Sequence, residues 1–358
     1  MPSIREIIKK AAKLGSFIIA IGLLLSVLGF AVFNYLNSPP EPPSFVVQDH
    51  LRLDYGNVLF LEVRSGESAI SVGRRLEEAG IIRNHRFWQL LSRLNREHIK
   101  TGSYRIELPA SQMSIHSLLV EGAQILVRVT VPEGVTLKRA SIIFEEAGIC
   151  DAEDFLAAAS SQNILDHYSI PGETMEGYLF PDTYLFPLAF PADRVVRAMA
   201  DNFFTRLAEI APEVLELGIE ELNNRVIMAS IVEREYRINE EAPLMAGVFY
   251  NRLRINMALQ SCATVEYIIT EIQGRPHPEV ILYRDLEIRN PYNTYLQRGL
   301  PPGPISAPGA VALRASFFPA QTEYFYFRLI DSNTGRHFFS RTLDEHNRAG
   351  DLSIGGSS

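Results

Sequence analysis

The stretch "ETMEGYLFPDTYLFP", Glu173 to Pro187, sets one acid, Glu176, against a glycine and ahead of a run of aromatic rings and prolines. A carboxyl group can act alone as a proton donor when its surroundings raise its pKa. Tyr178, Phe180, Tyr184, Phe186 and Phe190 are close enough in sequence to strip water from Glu176, and desolvation disfavours the charged form. Aromatic faces also stack on pyranose rings, and Gly177 is expected to leave room beside the acid for a bulky substrate. Glu173 and Asp182 are rival acids in the same stretch, and the plainer reading of Glu176 is a charge on a loop.

Other chemistries find little support. The chain has no HExxH, paired CxxC, GxSxG elbow, Walker loop or dinucleotide fingerprint, and His337 and His346 stand nine apart with no third ligand in view. Neither metal nor cofactor is therefore expected. Two cysteines, Cys150 and Cys262, are too few for a disulfide framework. A net charge of -8 argues against a sequence-independent grip on nucleic acid, which needs lysines and arginines to displace counterions.

An acid of this kind needs a scaffold, and 358 residues with 47% hydrophobic and 21% charged side chains allow an anchor and two modest folded units. Ser16 to Leu36 carries no charge over 21 residues. As a helix it spans roughly 30 Å, the hydrocarbon thickness of a bilayer, and reads as an uncleaved anchor. Arg5, Lys9, Lys10 and Lys13 precede it, and Glu41 and Asp49 follow, which places residues 1–15 in the cytoplasm and the rest outside. "NSPPEPPSF" opens a proline-rich spacer, 37–56, expected to lift the folded part off the membrane.

Beyond the spacer the chain repeats itself. "VRSGESAISVGRRLEEAGIIRNHRFWQLL" from Val63 is echoed by "VPEGVTLKRASIIFEEAGICDAEDFLAAA" from Val131, at a constant offset of 68 that pairs Gly66 with Gly134, Gly80 with Gly148 and Phe87 with Phe155. Each copy predicts a strand ending at a glycine turn, an amphipathic helix stopped by a glycine, and a second helix. In the first copy "GSYRIEL" then returns as a strand, a βααβ order that resembles LysM-like glycan-binding modules, with mutual packing of the repeats as the other reading.

From about residue 193 helices are expected. Leu222, Val226, Ile227, Ser230 and Ile231 mark one helix face, Leu244, Val248 and Phe249 another, and Glu233 and Arg237 have the spacing of an exposed ion pair. "TEYFYFRLI" reads as a buried strand, and Thr342 with Glu345 as a capping box opening a last short helix.

The motifs "EGYLFPDTY", "ASIVERE", "AGVFYNRL", "MALQS", "PYNTY", "GLPPGPI", "PGAVALRA" and "GRHFFSRTLDEHN", in that order over about residues 57–347, resemble the YceG-like (MltG-type) endolytic murein transglycosylases. The resemblance implies an α+β protein with a single transmembrane helix, a LysM-like module at 57–127, a catalytic transglycosylase domain at 128–347 and a loose tail at 348–358. It implies Glu176 as the catalytic acid, peptidoglycan glycan strands as substrate, an inner-membrane location and peptidoglycan synthases as neighbours. Gln260, Ser261, Tyr292, Asn293, Thr294 and Tyr295 would line the glycan groove, although "NPYNTY" is also good turn chemistry. Glu233 would serve as a binding or structural charge. The chain departs from the family at "LQSCATVEY", where Cys262 and Ala263 replace the usual Asp-Pro, which bears on Gln260 and Ser261 and leaves the acid untouched. The alternatives are a noncatalytic murein-binding anchor, and a hydrolase that delivers water.

Overall fold

The computed structural model describes residues 4–41, 46–48, 51–54, 58–64, 66–95, 98–122, 124–212 and 217–352. It is a mixed α+β chain that divides into two compact units, Met1–Leu126 and Val127–Ser358.

The first unit begins with helix α1, Ile4–Asn37, whose Gly15–Asn37 part is long and apolar enough to cross a membrane and is not buried by the rest of the chain. A four-stranded antiparallel sheet follows in the order β1 (Val46–Gln48), β2 (Leu51–Asp54), β3 (Val58–Val63) and β4 (Gly102–Glu107). Period-two alternation turns Leu51, Leu53, Leu59, Leu61, Tyr104 and Ile106 to one buried face. Helices α2 (Ala69–Glu78), α3 (His85–Asn95) and α4 (Gln112–Glu121) complete the unit. Val72, Leu76, Trp88, Ile115 and Leu119 close the core, and the Trp88 indole donates to the Ala69 carbonyl at 2.8 Å.

Two expectations about the linking segment change here. Strands β1 and β2 occupy part of 37–56, the stretch expected as a spacer, because Leu51 and Leu53 alternate with Arg52 and Asp54 and pair with β3. The start of the segment is also tied down. Arg83 donates to the carbonyls of Ser38 and Pro39 at 3.1 Å each, and the Met113 amide donates to Asn37 Oδ1 at 2.9 Å. Pro42–Phe45 of "NSPPEPPSF" lie outside the described residues, as does the "GGSS" tail.

The second unit opens with β5 (Leu126–Thr130), α5 (Leu137–Glu146) and α6 (Ala152–Ala159), the second copy of the repeat. The order strand, helix, helix is the same in both copies. The second then inserts α7 (Gln162–Tyr168) and an irregular stretch before β6 (Thr183–Pro187) pairs with β5. Helices α8 (Ala192–Ile210), α9 (Ile219–Glu233), α10 (Ala242–Arg254), α11 (Cys262–Tyr267) and α12 (Ala310–Phe317) follow, then the hairpin β7 (Tyr326–Asp331) and β8 (Arg336–Ser340), and finally α13 (Leu343–Arg348). The capping box forms as expected: Thr342 accepts from the Glu345 amide, and Glu345 reaches back to the Thr342 amide.

Helix α9 departs from a one-faced pattern, since Val226 through Val232 are all buried. It is a core helix of this unit, packed by α10 and α12. The expected Glu233–Arg237 ion pair is not formed, because α9 ends at Glu233 and the chain turns away before Arg237. Strand β7 is half-buried in a two-stranded hairpin, not the buried strand expected of "TEYFYFRLI".

Candidate active site

Glu176 lies in the insertion that distinguishes the second copy. Its turn is pinned at both ends: the Met175 amide donates to Ala159 O of α6 at 2.8 Å, and the Phe180 amide to Met199 O of α8 at 3.2 Å. The chain can make this turn only because Gly177 takes φ +81° and has no side chain. A Cβ there would stand 2.4 Å from Pro304 Cβ and 3.3 Å from Val226 Cγ1. The space beside Gly177 is therefore filled by protein, correcting the expectation that it admits substrate.

The Glu176 side chain is 7% exposed. The Leu137 amide, in the first turn of α5, donates toward both its oxygens, at 3.2 Å to Oε1 and 3.1 Å to Oε2. Thr136 caps the same helix by accepting from the Arg139 amide at 3.2 Å, so the end of α5 is fixed where it meets the acid. Burial pushes the Glu176 carboxyl up to about 8, against the opposing pull of the Leu137 amide; Glu271 adds to the rise and Arg234 subtracts from it. At neutral pH the group is a protonated acid beside a helix end that favours its anion.

In front of it is a cavity of about 490 Å³, bounded by the 170–174 segment, Tyr178, Asn223, Tyr267, Tyr292 and the Pro302–Pro304 loop. Polar groups in α9 hold that wall: the Ser230 hydroxyl accepts from the Ile305 amide at 3.0 Å, and Ser306 Oγ donates to Ser230 O at 3.0 Å. Tyr178 donates to Asn223 Oδ1 at 2.8 Å. The rings facing the cavity, Tyr267 and Tyr292, lie 5.1 Å apart between centroids. Phe180 and Phe186 are instead buried in the core, and Tyr184, Phe186 and Phe190 stack on one another. Most of the rings next to Glu176 in sequence are thus core, not a sugar platform.

The other expected site residues separate into two groups. Tyr292 shares the cavity with Glu176. Asn293, fully buried, donates to the carbonyls of Leu286 at 3.0 Å and Ile288 at 2.8 Å and accepts from the Tyr295 amide at 3.0 Å, so its amide is engaged in folding its own loop. Thr294 Oγ1 accepts from the Ser261 amide at 3.0 Å and lies 2.9 Å from Thr264 Oγ1. The Ser261 hydroxyl donates to Glu235. Gln260 is exposed at φ +52°, and its amide donates to Thr294 O at 3.0 Å. These residues join two loops behind the site; Gln260, Ser261, Asn293, Thr294 and Tyr295 do not line the cavity. Cys262 lies with Sγ 3.0 Å from the Tyr295 hydroxyl and Ala263 is buried, so the departure from Asp-Pro also falls outside the cavity lining.

The rival acids are accounted for as well. Asp182 accepts from Asn202 at 3.2 Å and faces Arg206, and these contacts with the Thr183 amide hold its carboxyl below the usual range. Glu233 is a half-buried cap for the 309 turn, accepting from the Gly309 amide at 2.8 Å, and desolvation pushes it up to about 7. Glu235, not singled out by sequence, is half-buried, accepts from the Ser261 hydroxyl and is pushed up to about 7 by desolvation. Of all these, only the exposed Glu173 joins Glu176 in the cavity lining. Among the described residues no cluster of His, Cys, Asp and Glu has the arrangement of a metal site. Tyr267 and Asn223 were not flagged by sequence; only the folded chain brings them opposite Glu176.

A buried carboxyl with a raised pKa, seated at a helix end under an open, tyrosine-walled cavity on an α+β scaffold, has the chemistry to give and take a proton, and among the described residues no metal ligand cluster accompanies it. The model of the YceG-like family matches residues 61–351, and the chain belongs to that family. It is similar to an endolytic murein transglycosylase of Bacillus subtilis, 28% identical over 81% of this chain and 83% of the relative. A second endolytic murein transglycosylase, from Streptococcus pneumoniae, is 26% identical over 85% of this chain and 60% of that longer protein. A crystal structure of a YceG-like protein from Listeria monocytogenes matches with a TM-score of 0.55 and 29% identity, covering 81% of this chain and 98% of the other.

Proposed function

We propose that this chain is an endolytic peptidoglycan lytic transglycosylase, cutting the bond between N-acetylmuramic acid and N-acetylglucosamine within glycan strands, with Glu176 as its acid and base. The observation that carries the reading is the buried Glu176 carboxyl, raised to about 8 and open to a cavity where it has a protein amide as its hydrogen-bond partner. Protonated Glu176 donates to the glycosidic oxygen as the bond to muramic C1 breaks. The resulting carboxylate, stabilised by the Leu137 amide and the positive end of α5, takes the proton of the muramic 6-hydroxyl as that oxygen bonds to C1. The products are a free 4-hydroxyl and a 1,6-anhydro ring, and the acid is regenerated.

Two-carboxylate glycosidases hold their second acid across the scissile bond. Here, among the described residues, Glu173 is the only other carboxylate lining the cavity, and it is exposed. An internal hydroxyl nucleophile requires no second acid, because proximity within the substrate replaces it. Tyr267 and Tyr292 supply ring faces and hydroxyls for the sugars. In this reading α1 is a single-pass anchor in the cytoplasmic membrane with its amino end inside, residues 57–127 form a LysM-like glycan-contacting module, and residues 128–347 form the catalytic domain. Strand cutting would then occur close to where synthases make the strands.

Digestion of purified murein followed by mass spectrometry tests the proposal. The wild type is expected to give 1,6-anhydro-muramic ends, and Glu176→Gln none while remaining folded. Reducing ends would indicate hydrolysis, unchanged strands a binding protein, and full activity in the variant would remove Glu176 from its role.

A further inference from the structure

A second cavity, of about 400 Å³, is lined by residues next in sequence to those at the acid. Thr136 and Lys138, on either side of the Leu137 whose amide holds Glu176, line this second cavity. A π-helical turn, Ile268–Ile272, separates the two: Ile272 belongs to the lining of the first, and Thr270 and Glu271 to that of the second. Arg234 and Glu271, both in the second lining, are also the charged groups that act on Glu176.

The second cavity has opposite chemistry. Where the first offers tyrosines and a neutral acid, the second gathers Lys138, Arg139, Arg234, Arg275 and His277 around Glu266 and Glu271. Arg234 and His277 both engage Glu266, and Arg234 also donates to Gly134 O at 3.3 Å. Lys138, Arg139 and Arg275 form no ion pair among the described residues. The lining's lysine and arginines outnumber its two carboxylates, Glu266 and Glu271, so the cavity is net positive on a chain whose overall charge is -8. Such a local field, walled by protein, concentrates anions, and arginine forks match carboxylates in particular.

Resting on the transglycosylase reading, we propose that this second cavity binds the anionic peptide stem of the muramic residue whose bond is cut, its carboxylates facing Lys138, Arg139 and Arg275. The stem hangs from C3 of that sugar, two ring bonds from the C1 that must sit at Glu176, so it has to leave the groove beside the acid. N-acetylglucosamine carries no such branch. The basic cavity thereby selects which of the two alternating linkages reaches Glu176.

The test uses the full chain in detergent and uncrosslinked glycan oligomers of three kinds: with native stems, with stem carboxylates amidated, and with stems removed. Each is supplied as a released strand and as a lipid-pyrophosphate-linked strand. For the combined variant Lys138→Gln, Arg139→Gln, Arg275→Gln, kcat/KM on stem-bearing strands is expected to fall about tenfold or more, to the wild-type level on amidated strands. Its rate on stem-free strands should match the wild type, which also shows that the variant is folded. Equal loss on all three substrates, or no loss on any, overturns the proposal. A loss confined to pyrophosphate-linked strands overturns it in favour of a phosphate site. Cleavage by Glu176→Gln at the wild-type rate would instead overturn the transglycosylase reading, whatever the triple variant does.

Discussion

The two copies of the repeat share their local geometry and differ in what they bury. Gly66 and Gly134 turn at φ +76° and +74°, Gly80 and Gly148 at +70° and +69°. Ser68 and Thr136 cap α2 and α5 through equivalent bonds, each 3.2 Å to the amide three residues on. Both helices thus present the same positive end. At the first, the nearby acid is Glu67, half-buried, which accepts from the Arg64 amide at 3.1 Å and Ser71 Oγ at 3.0 Å and pairs with Arg75 at 3.2 Å. At the second, the acid arrives from 39 residues away and is buried. At the second copy desolvation and the helix end act on one carboxyl in opposite directions, and desolvation is the larger, so Glu176 holds its proton toward neutral pH.

The sharpest break in that comparison is removal of each acid. Glu176→Gln is expected to lower turnover by about 10²–10⁴-fold, the range of a lost general acid, while Glu67→Gln leaves it unchanged; release of anhydro-muropeptides measures both. Next in size are the glycines. Gly177→Ala meets Pro304 and a left-handed backbone together, so a loss of about 2 kcal/mol or more is expected in urea unfolding. Gly66→Ala, at similar φ but with nothing within 4 Å, should cost about 1 kcal/mol.

Acidity gives a third contrast. Because the donor must carry its proton, activity should decline as pH rises through about 8. The folded-state value lies above the usual 4.5, so the stability that Glu176 contributes is complete below about 4.5 and is lost as pH rises through about 8. Thermal melts at pH 5 and pH 9 should therefore show a smaller drop for Glu176→Gln than for wild type; Glu233 and Glu235, shifted in the same direction, remain in both. Leu137→Pro removes the amide that favours the anion, at a helix position where proline is tolerated. The alkaline limb of its rate profile should move upward, whereas Ala69→Pro at the matching position of α2 should leave the profile in place. The smallest effects belong to the caps: Ser68→Ala and Thr136→Ala should each cost about 1 kcal/mol, and only Thr136→Ala should also slow cleavage.

What could be read in the sequence was local. The long apolar helix near the amino terminus, the glycine turns and helices of the repeat and the capping box are written in short-range pattern, and they are where the pattern put them. What could not be read depends on contacts between distant segments. Gly177 looked like room for a ligand because Pro304 is 127 residues downstream. The rings after Glu176 looked like a sugar platform because nothing in the stretch says that Phe180 and Phe186 face the core, or that Tyr267 and Tyr292 replace them. Asn293 and Thr294 carry side chains that could hold sugars or loops, and the loops claimed them. The strands at 46–54 were hidden by the prolines just before them.

The knot of Arg83, Ser38, Pro39, Asn37 and Met113 ties the end of α1 directly to the module that follows it. In a bilayer, that module would ride on the helix like a head on a neck instead of drifting on a leash. Tilting or turning the helix would then steer the module, and its height above the surface would be set by the helix and not by the length of a tether.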